Sequence, residues 1–516
     1  MAARIKEKVL AEKLDSVRKA KNISPKVLEK LEALVRQGDD FELFRINPIR
    51  FAADRGVIEH EAIDAFLHGA KNGMFQMEWN LVCPTCGDSV DSFRSLNKLN
   101  SHFYCTVCDL NSEATLDDYI QVNFTISPEI REISYHRPEA LSIEDYHLKY
   151  HFNQSATIPG GPRFIDAVPS LVKGLSYVGP GQKKRFELET TGGTITLNDL
   201  MHHMSAAVAV KGNPADKPQT LGVRMESGKL VPERSEVAPG RVIVALDNRT
   251  AARSSMLILN FPPGFEKKRL IFEPFLSGKK LISVQTFRDL FSSEVIQGTE
   301  GIGVRDITIL FTDLKGSTAL YERIGDLKAF SLVHQHFDRL GSVINENSGA
   351  FVKTIGDAVM ASFLNPLDAV KAALEMNREI TRFNRAFTSR DVILKIGIHK
   401  GPCIAVTLND RLDYFGQTVN TAARVQGLAG AEEVYITDDV LAFPGVKGLL
   451  KGYKVYGGKV KLKGIQEEMQ VYKIVAPDFG GADAGRRGPG AAEERHADPA
   501  AGLKASAGAA VARRAP

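Results

Sequence analysis

Long apolar runs are missing from this sequence: no uninterrupted stretch comes near the ~18 residues needed to cross a bilayer. The first residues, Met-Ala-Ala-Arg-Ile-Lys-Glu-Lys, are charged and lack the apolar core of a signal peptide. Charge of one sign is missing too. A net charge of +4 on 516 residues implies no wholesale attraction to nucleic acid or to a membrane. Cysteine is scarce: there are five, and four of them fall in two C-x-x-C pairs, which is no framework for a secreted disulfide protein. Together these absences predict a soluble cytoplasmic protein with no membrane partner. What is present is length, too much for one core, so about two to four domains are expected.

Residues 1–80 read as helical, with apolar positions at Ile5, Val9, Leu10 and Leu14 and again at Val27, Leu28, Leu31 and Leu34. Within them Pro48–Ala52, a turn at Gly56 and Ala62–Leu67 resemble a helix-turn-helix. A DNA reader needs basic and amide side chains on the second helix. This one opens with Glu59, Glu61 and Asp64, which weighs against nucleic acid and towards a protein contact. Residues 81–147 hold Cys83-Pro-Thr-Cys86 and Cys105-Thr-Val-Cys108, separated by 18 residues. Each pair brings two thiolates onto one turn, and four sulfurs at this spacing predict a zinc ribbon. With all four positions filled by protein, that zinc would be structural. Disulfides, or one redox-active pair, are the alternatives. Residues 148–278 change to short strand-like runs broken by Gly and Pro, such as Arg241–Leu246 and Met256–Phe261, which argue a β-sandwich with an unidentified regulatory ligand or protein partner. Residues 279–303 read as an amphipathic coupling helix followed by a Gly-rich linker, and 477–516 as a disordered tail.

Residues 304–476 alternate between strand-like and helix-like segments in a βαββαβ order, the pattern of a ferredoxin-like α+β domain within a multidomain α+β chain. The first strand-like run, Asp306–Phe311, ends in Phe311-Thr-Asp-Leu-Lys-Gly-Ser-Thr318. An aspartate at a strand end, followed by a small-residue turn into a helix, suits a metal-bound phosphate. The carboxylate offers hard oxygen to Mg²⁺, and free amides at the helix start face anionic oxygens. A second run, Lys353-Thr-Ile-Gly-Asp357, places another aspartate on a tight turn.

These two runs, with Asp413-Tyr-Phe-Gly-Gln-Thr-Val-Asn420-Thr-Ala-Ala-Arg424, resemble the class III nucleotidyl cyclases in order and separation. The resemblance covers essentially all of 304–476. It implies that Asp313 and Asp357 hold two Mg²⁺ or Mn²⁺ ions, while Leu314, Lys315, Gly316 and Ser317 offer amides to the phosphates. It implies that Lys353 and Asp413 read the base. Lysine donating to adenine N1 and a carboxylate accepting from the N6 amine fit adenine, and guanine presents the reverse pattern. It implies that Asn420 orients the ribose and Arg424 meets charge developing at the α-phosphate, both on one helix face. Lys463, in Leu462-Lys-Gly464, is matched to the β- and γ-phosphates, with an exposed strand lysine as the alternative. His399 reads as structural. Gln417 departs from the Asp or Asn common in the family.

In this family the metal aspartates come from one subunit and the base and transition-state residues from the other. Both sets are present here, which implies a homodimer. The resemblance therefore points to an adenylate cyclase making cyclic AMP from ATP. The alternatives are a guanylate cyclase, or a non-catalytic nucleotide sensor with output through the helix-turn-helix. The N-terminal half resembles an uncharacterised region found ahead of some bacterial cyclases.

Overall fold

The computed structural model describes residues 5–476 except 21, 84–86, 99–101, 106–109, 114, 118–119, 203, 266–269, 293–295, 297–300, 387–391 and 409–410. The expected tail lies outside the described residues. The chain divides into two units, Met1–Leu281 with Asp289–Ile302, and Ile282–Arg288 with Gly303–Pro516. Among the described residues no helix is long and apolar enough to cross a membrane.

The first unit opens with helices Glu7–Arg18, Pro25–Gln37, Pro48–Arg55 and Glu59–Lys71. Asn47 starts the third by accepting a hydrogen bond from the Ile49 amide, with Pro48 in the first turn, and Gly56 ends it at φ +59°. The helix–glycine–helix order is as expected, but Glu59–Lys71 is an interior element. It buries Ala62, Ile63, Asp64, Ala65, Phe66, Leu67 and Gly69, packing on its neighbouring helices and on strand Phe75–Val82. That strand pairs antiparallel with Ile120–Ile126, from Phe75↔Ile126 to Leu81↔Ile120, and with Ser89–Phe93. The helical and cysteine-bearing segments therefore share one sheet, and the expected division at 80/81 falls inside a strand.

Cys83 directly follows strand Phe75–Val82. Its amide donates to the Asp88 carbonyl at 2.8 Å, and its carbonyl accepts from the Gly87 amide at 2.9 Å. Cys105 ends strand His102–Cys105, which pairs with Leu110–Glu113. Each C-x-x-C thus begins where the first strand of a hairpin ends. Cys83 and Cys105 are buried, whereas Cys86 and Cys108 lie outside the described residues. Among the described residues, no group of three or more His, Cys, Asp and Glu side chains is placed to hold a metal.

Residues 172–261 form two sheets. A five-stranded sheet contains Val172–Val178, Gly193–Asp199, Met204–Val210, Glu236–Val237 and Ser254–Phe261. A four-stranded sheet contains Lys183–Thr190, Gln219–Glu226, Lys229–Pro232 and Gly240–Asn248. Alternate residues face a common core that includes Leu188, Ile195, Leu197, Val223, Val244 and Met256. In place of one coupling helix there are two short ones, Gly278–Ile282 and Gln285–Leu290.

The second unit carries β1 (Ile302–Leu314), α1 (Ser317–Ile324), α2 (Asp326–Glu346), β2 (Gly349–Ile355), β3 (Ala358–Phe363), α3 (Pro366–Ala386), β4 (Leu394–Leu408), β5 (Arg411–Phe415), α4 (Gln417–Gln426), β6 (Val434–Thr437), two one-turn helices, β7 (Lys454–Lys461) and β8 (Glu468–Val475). The sheet order β2-β3-β1-β4 is that of a ferredoxin-like βαββαβ core. Strands β6, β8 and β7 extend it beyond β4, and β5 folds back on β4. The main core joins Leu310, Val333, Leu340, Ile344, Phe363, Ala373, Ile396 and Ile436. Strand β4 runs unbroken past Pro402. Pro402 is tolerated because it falls between the pairing with β6 at 396–398 and that with β5 at 404–408.

Candidate active site

Sheet register brings the first pair of carboxylates together. Thr312 of β1 is paired with Val359 of β3, and the Val359 amide donates to Thr312 Oγ1 at 3.2 Å. Asp313 is the next residue along β1. Asp357 lies two residues before Val359, in a two-residue hairpin turn closed by Ile355↔Ala358. Gly356 takes φ +63° at the first turn position, the conformation such hairpins favour there. The turn therefore delivers Asp357 to the end of β1.

Burial pushes the Asp357 carboxyl above the ordinary carboxylate range, and the nearby charge of Asp313 pushes the same way. A hydrogen bond from the Ser317 side chain and the charge of Lys395 oppose the shift. Asp357 Oδ2 is buried without a hydrogen-bond partner. A hard anionic oxygen left unpaired beside a second carboxylate fits a divalent cation. Asp313 Oδ2 lies 2.5 Å from the ammonium of Lys395 on β4. Sequence reasoning did not single out Lys395.

Past Asp313, Leu314 is buried, and Gly316 at φ +73° turns the chain into α1 at Ser317. The Lys315 amide donates to the Ile393 carbonyl at 2.8 Å. It is therefore committed within the protein, and the expected run of phosphate-facing amides from Leu314 to Ser317 is shorter by at least this one.

Lys353 of β2 and Asp413 of β5 form the second group. Lys353 Nζ donates to Asp413 Oδ2 at 2.5 Å, and Asp413 Oδ1 accepts from the Tyr414 amide at 2.8 Å. The segment Ile282–Arg288 reaches both strands. Gln285 Oε1 accepts from the Phe351 amide at 2.8 Å, two residues before Lys353. Arg288 Nη1 donates to the Leu412 carbonyl at 2.9 Å, Nε donates to the Ile282 carbonyl at 2.8 Å, and the guanidinium lies over the Tyr414 ring. Arg288 thus grips the residues on either side of Asp413. The sequence identified this stretch only as amphipathic.

Asn420 and Arg424 form the third group on α4, one turn apart. The helix is set close to β4 at Gly397, where a Cβ would come within 2.1 Å of the Gln426 backbone nitrogen. Asn420 is exposed. Arg424 lies against the turn after Leu462, since a Cβ on Gly464 would meet its Nη1 at 2.8 Å. Lys463 is exposed on that turn, close in sequence to where Arg424 rests. His399 is held near pKa 4 by burial and hydrogen-bonds Thr437 Oγ1 at 3.0 Å through Nδ1. It is a structural histidine.

The chain matches the adenylate and guanylate cyclase catalytic domain over residues 302–476. An adenylate cyclase of Anabaena cylindrica is 30% identical over 203 residues, 35% of this chain and 40% of that protein. The receptor-type guanylate cyclase gcy-13 of Caenorhabditis elegans is 29% identical over 192 residues, 35% of this chain and 18% of its own length. The chain thus spans less than half the length of these relatives. Over these residues the C-terminal unit is similar to adenylate and guanylate cyclase catalytic domains. The second match, residues 10–289, is to a family of unknown function, DUF5939. That match takes in more than half of the sequence, and the chain belongs to this family.

Proposed function

We propose that the protein is an adenylate cyclase, converting ATP to 3′,5′-cyclic AMP and pyrophosphate at sites shared between two copies of the chain. The observation that carries the choice of base is the Lys353–Asp413 pair. Adenine replaces each partner of that ion pair with a complementary edge, N1 accepting from Lys353 and the N6 amine donating to Asp413. Guanine would set its N1–H against the ammonium and O6 against the carboxylate. Each such mismatch costs about 1–3 kcal/mol, so selectivity follows from these two side chains.

In the reaction the ribose 3′-oxygen bonds to the α-phosphorus, the bond to the pyrophosphate oxygen breaks, and the hydroxyl proton leaves to solvent. Two Mg²⁺ or Mn²⁺ ions, when bound at Asp313 and Asp357, supply Lewis acidity to the hydroxyl and the triphosphate. Ser317 hydrogen-bonds the Asp357 carboxylate and helps fix it. Asn420 orients the ribose, and Arg424 offers its fork of donors to the charge that develops on the α-phosphate. Lys463 contacts the outer phosphates. Asp313 and Asp357 from one copy face Lys353, Asp413, Asn420 and Arg424 from the other, giving a homodimer with two equivalent sites.

The first unit regulates this activity through its own ligand or protein partner, in the cytoplasm, where ATP is supplied. Cys83, Cys86, Cys105 and Cys108 hold a structural zinc in it, a reading supported by the hairpin ends at which Cys83 and Cys105 sit.

The test is incubation of the purified protein with Mn²⁺ and either ATP or GTP. Cyclic AMP from ATP, in clear excess over cyclic GMP from GTP, is expected. Absence of any cyclic product from ATP would sink the reading, and a preference for GTP would replace it with a guanylate cyclase.

A further inference from the structure

The carboxylate pair is compensated unevenly. Asp313 meets a cation of the chain itself, the Lys395 ammonium at 2.5 Å from Oδ2. Asp357 has Oδ2 buried and without a hydrogen-bond partner. The lysine is built into the site by topology. Strand β4 is the sheet neighbour of β1, and the Lys315 amide bonded to the Ile393 carbonyl locks the end of β1 beside the start of β4. Lys395, two residues on, lies directly beside Asp313. The pair is sheltered, with only 15% of the lysine side chain and 26% of the aspartate side chain exposed. This is not a solvated surface pair that salt would screen away.

An ammonium and a divalent cation seek the same lone pairs on Asp313. Their mutual repulsion in a half-buried site forbids both from holding that oxygen at contact distance. Lysine is suited to yield. Its charge sits on a flexible four-carbon stem and can swing away without disturbing β4. We propose that Lys395 is a tethered competitor for the metal site. It holds Asp313 in the nucleotide-free protein and releases it when a divalent cation loads between Asp313 and Asp357. A free cation must displace the ammonium unaided. A cation arriving with a triphosphate brings negative charge that receives the displaced ammonium. Lys395 therefore favours the metal–nucleotide complex over the bare metal. The inference rests on the reading of Asp313 and Asp357 as metal carboxylates.

The test measures Mn²⁺ binding to the full-length, nucleotide-free protein by the paramagnetic resonance signal of the free ion, with no turnover involved. Lys395→Met is expected to tighten Mn²⁺ binding by about tenfold, the effect of removing one opposing cation from a partly buried carboxylate. Lys395→Arg keeps the charge and is expected to bind Mn²⁺ no more tightly than the native protein, since the guanidinium fork can hold Asp313 at least as well. Lys395→Gln, which can still hydrogen-bond Asp313, serves in place of the methionine variant should that fail to fold, with the same expectation. Unchanged or weaker Mn²⁺ binding in the neutral variant overturns the proposal. Asp357→Asn separates the two claims. Loss of Mn²⁺ binding there, beside an unchanged Lys395→Met, removes only the competitor role. Mn²⁺ binding that survives Asp357→Asn removes the metal reading and this inference with it.

Discussion

Lys353 and Asp413, 60 positions apart in the chain, meet in an ion pair of 2.5 Å with the aspartate almost wholly buried. Strand β2 supplies one and β5 the other, and neither has another charged partner among the hydrogen bonds and ion pairs described for them. Exchange of the pair for groups of reversed polarity should reverse the preference for the base. Lys353→Glu with Asp413→Cys is expected to lower kcat/KM for ATP by about 100-fold and to raise relative use of GTP. Steady-state kinetics with both nucleotides checks this. An unchanged ATP preference would show that these residues do not read the base.

Arg288 holds Asp413 from outside the site, through the Leu412 carbonyl and the Tyr414 ring. Its loss frees the strand that carries Asp413 but leaves Asp313 and Asp357 alone. Arg288→Met should raise KM for ATP about tenfold, the worth of one charged hydrogen bond, and relax selectivity against GTP. Mn²⁺ affinity should be unaffected. Arg288→Lys should not restore KM, since a lysine lacks the fork that meets both the Ile282 and Leu412 carbonyls. Equal KM values in all three proteins would contradict the role.

His336 on α2 is fully buried, and burial lowers its pKa to about 4. The unfolded chain, with an ordinary histidine, binds a proton that the folded chain refuses between pH 6.5 and 4. Stability from this group is therefore intact above pH 6.5 and falls as the pH drops through that window, by up to about 3 kcal/mol. His399 has the same sign. Thermal unfolding of His336→Leu should lose less of its midpoint between pH 7 and pH 5 than the native protein does. An identical loss would show that His336 does not titrate on unfolding.

A structural zinc on Cys83, Cys86, Cys105 and Cys108 makes a prediction independent of catalysis. Elemental analysis of purified protein should find about one tightly bound zinc per chain, and Cys105→Ser should release it and destabilise the first unit. A metal-free, fully folded native protein would refute the assignment.

The C-terminal unit was largely legible because its candidate site residues lie in contiguous runs. A strand ending in Phe-Thr-Asp-Leu-Lys-Gly-Ser-Thr and a turn at Gly356-Asp357 announce both carboxylates locally, and the structure places them side by side through the Thr312↔Val359 register. Lys395 was not legible. It sits in an ordinary strand, Leu394-Lys-Ile396, and its meaning depends on which strand lies next to it in the sheet. Arg288 was hidden for a similar reason: the apolar spacing of Phe287 and Leu290 drew attention to the helix, while its polar side makes the contacts. In the N-terminal unit, local periodicity gave the helices and sandwich strands, but the pairing of Phe75–Val82 with Ile120–Ile126 spans about forty residues and erases the expected boundary. Nor does a helix–glycine–helix pattern reveal that its second helix is interior, as Phe66 and Leu67 prove to be.

If each active site is built from two copies of the chain, co-expression of two crippled chains with different affinity tags should recover activity that neither has alone. Asp313→Asn removes the metal half, Arg424→Ala the transition-state half, and each homodimer should be inactive. In the heterodimer one site collects both intact halves and the other both damaged ones. Doubly tagged protein should therefore make cyclic AMP at about half the native rate per dimer. A heterodimer as inactive as either parent would contradict the account.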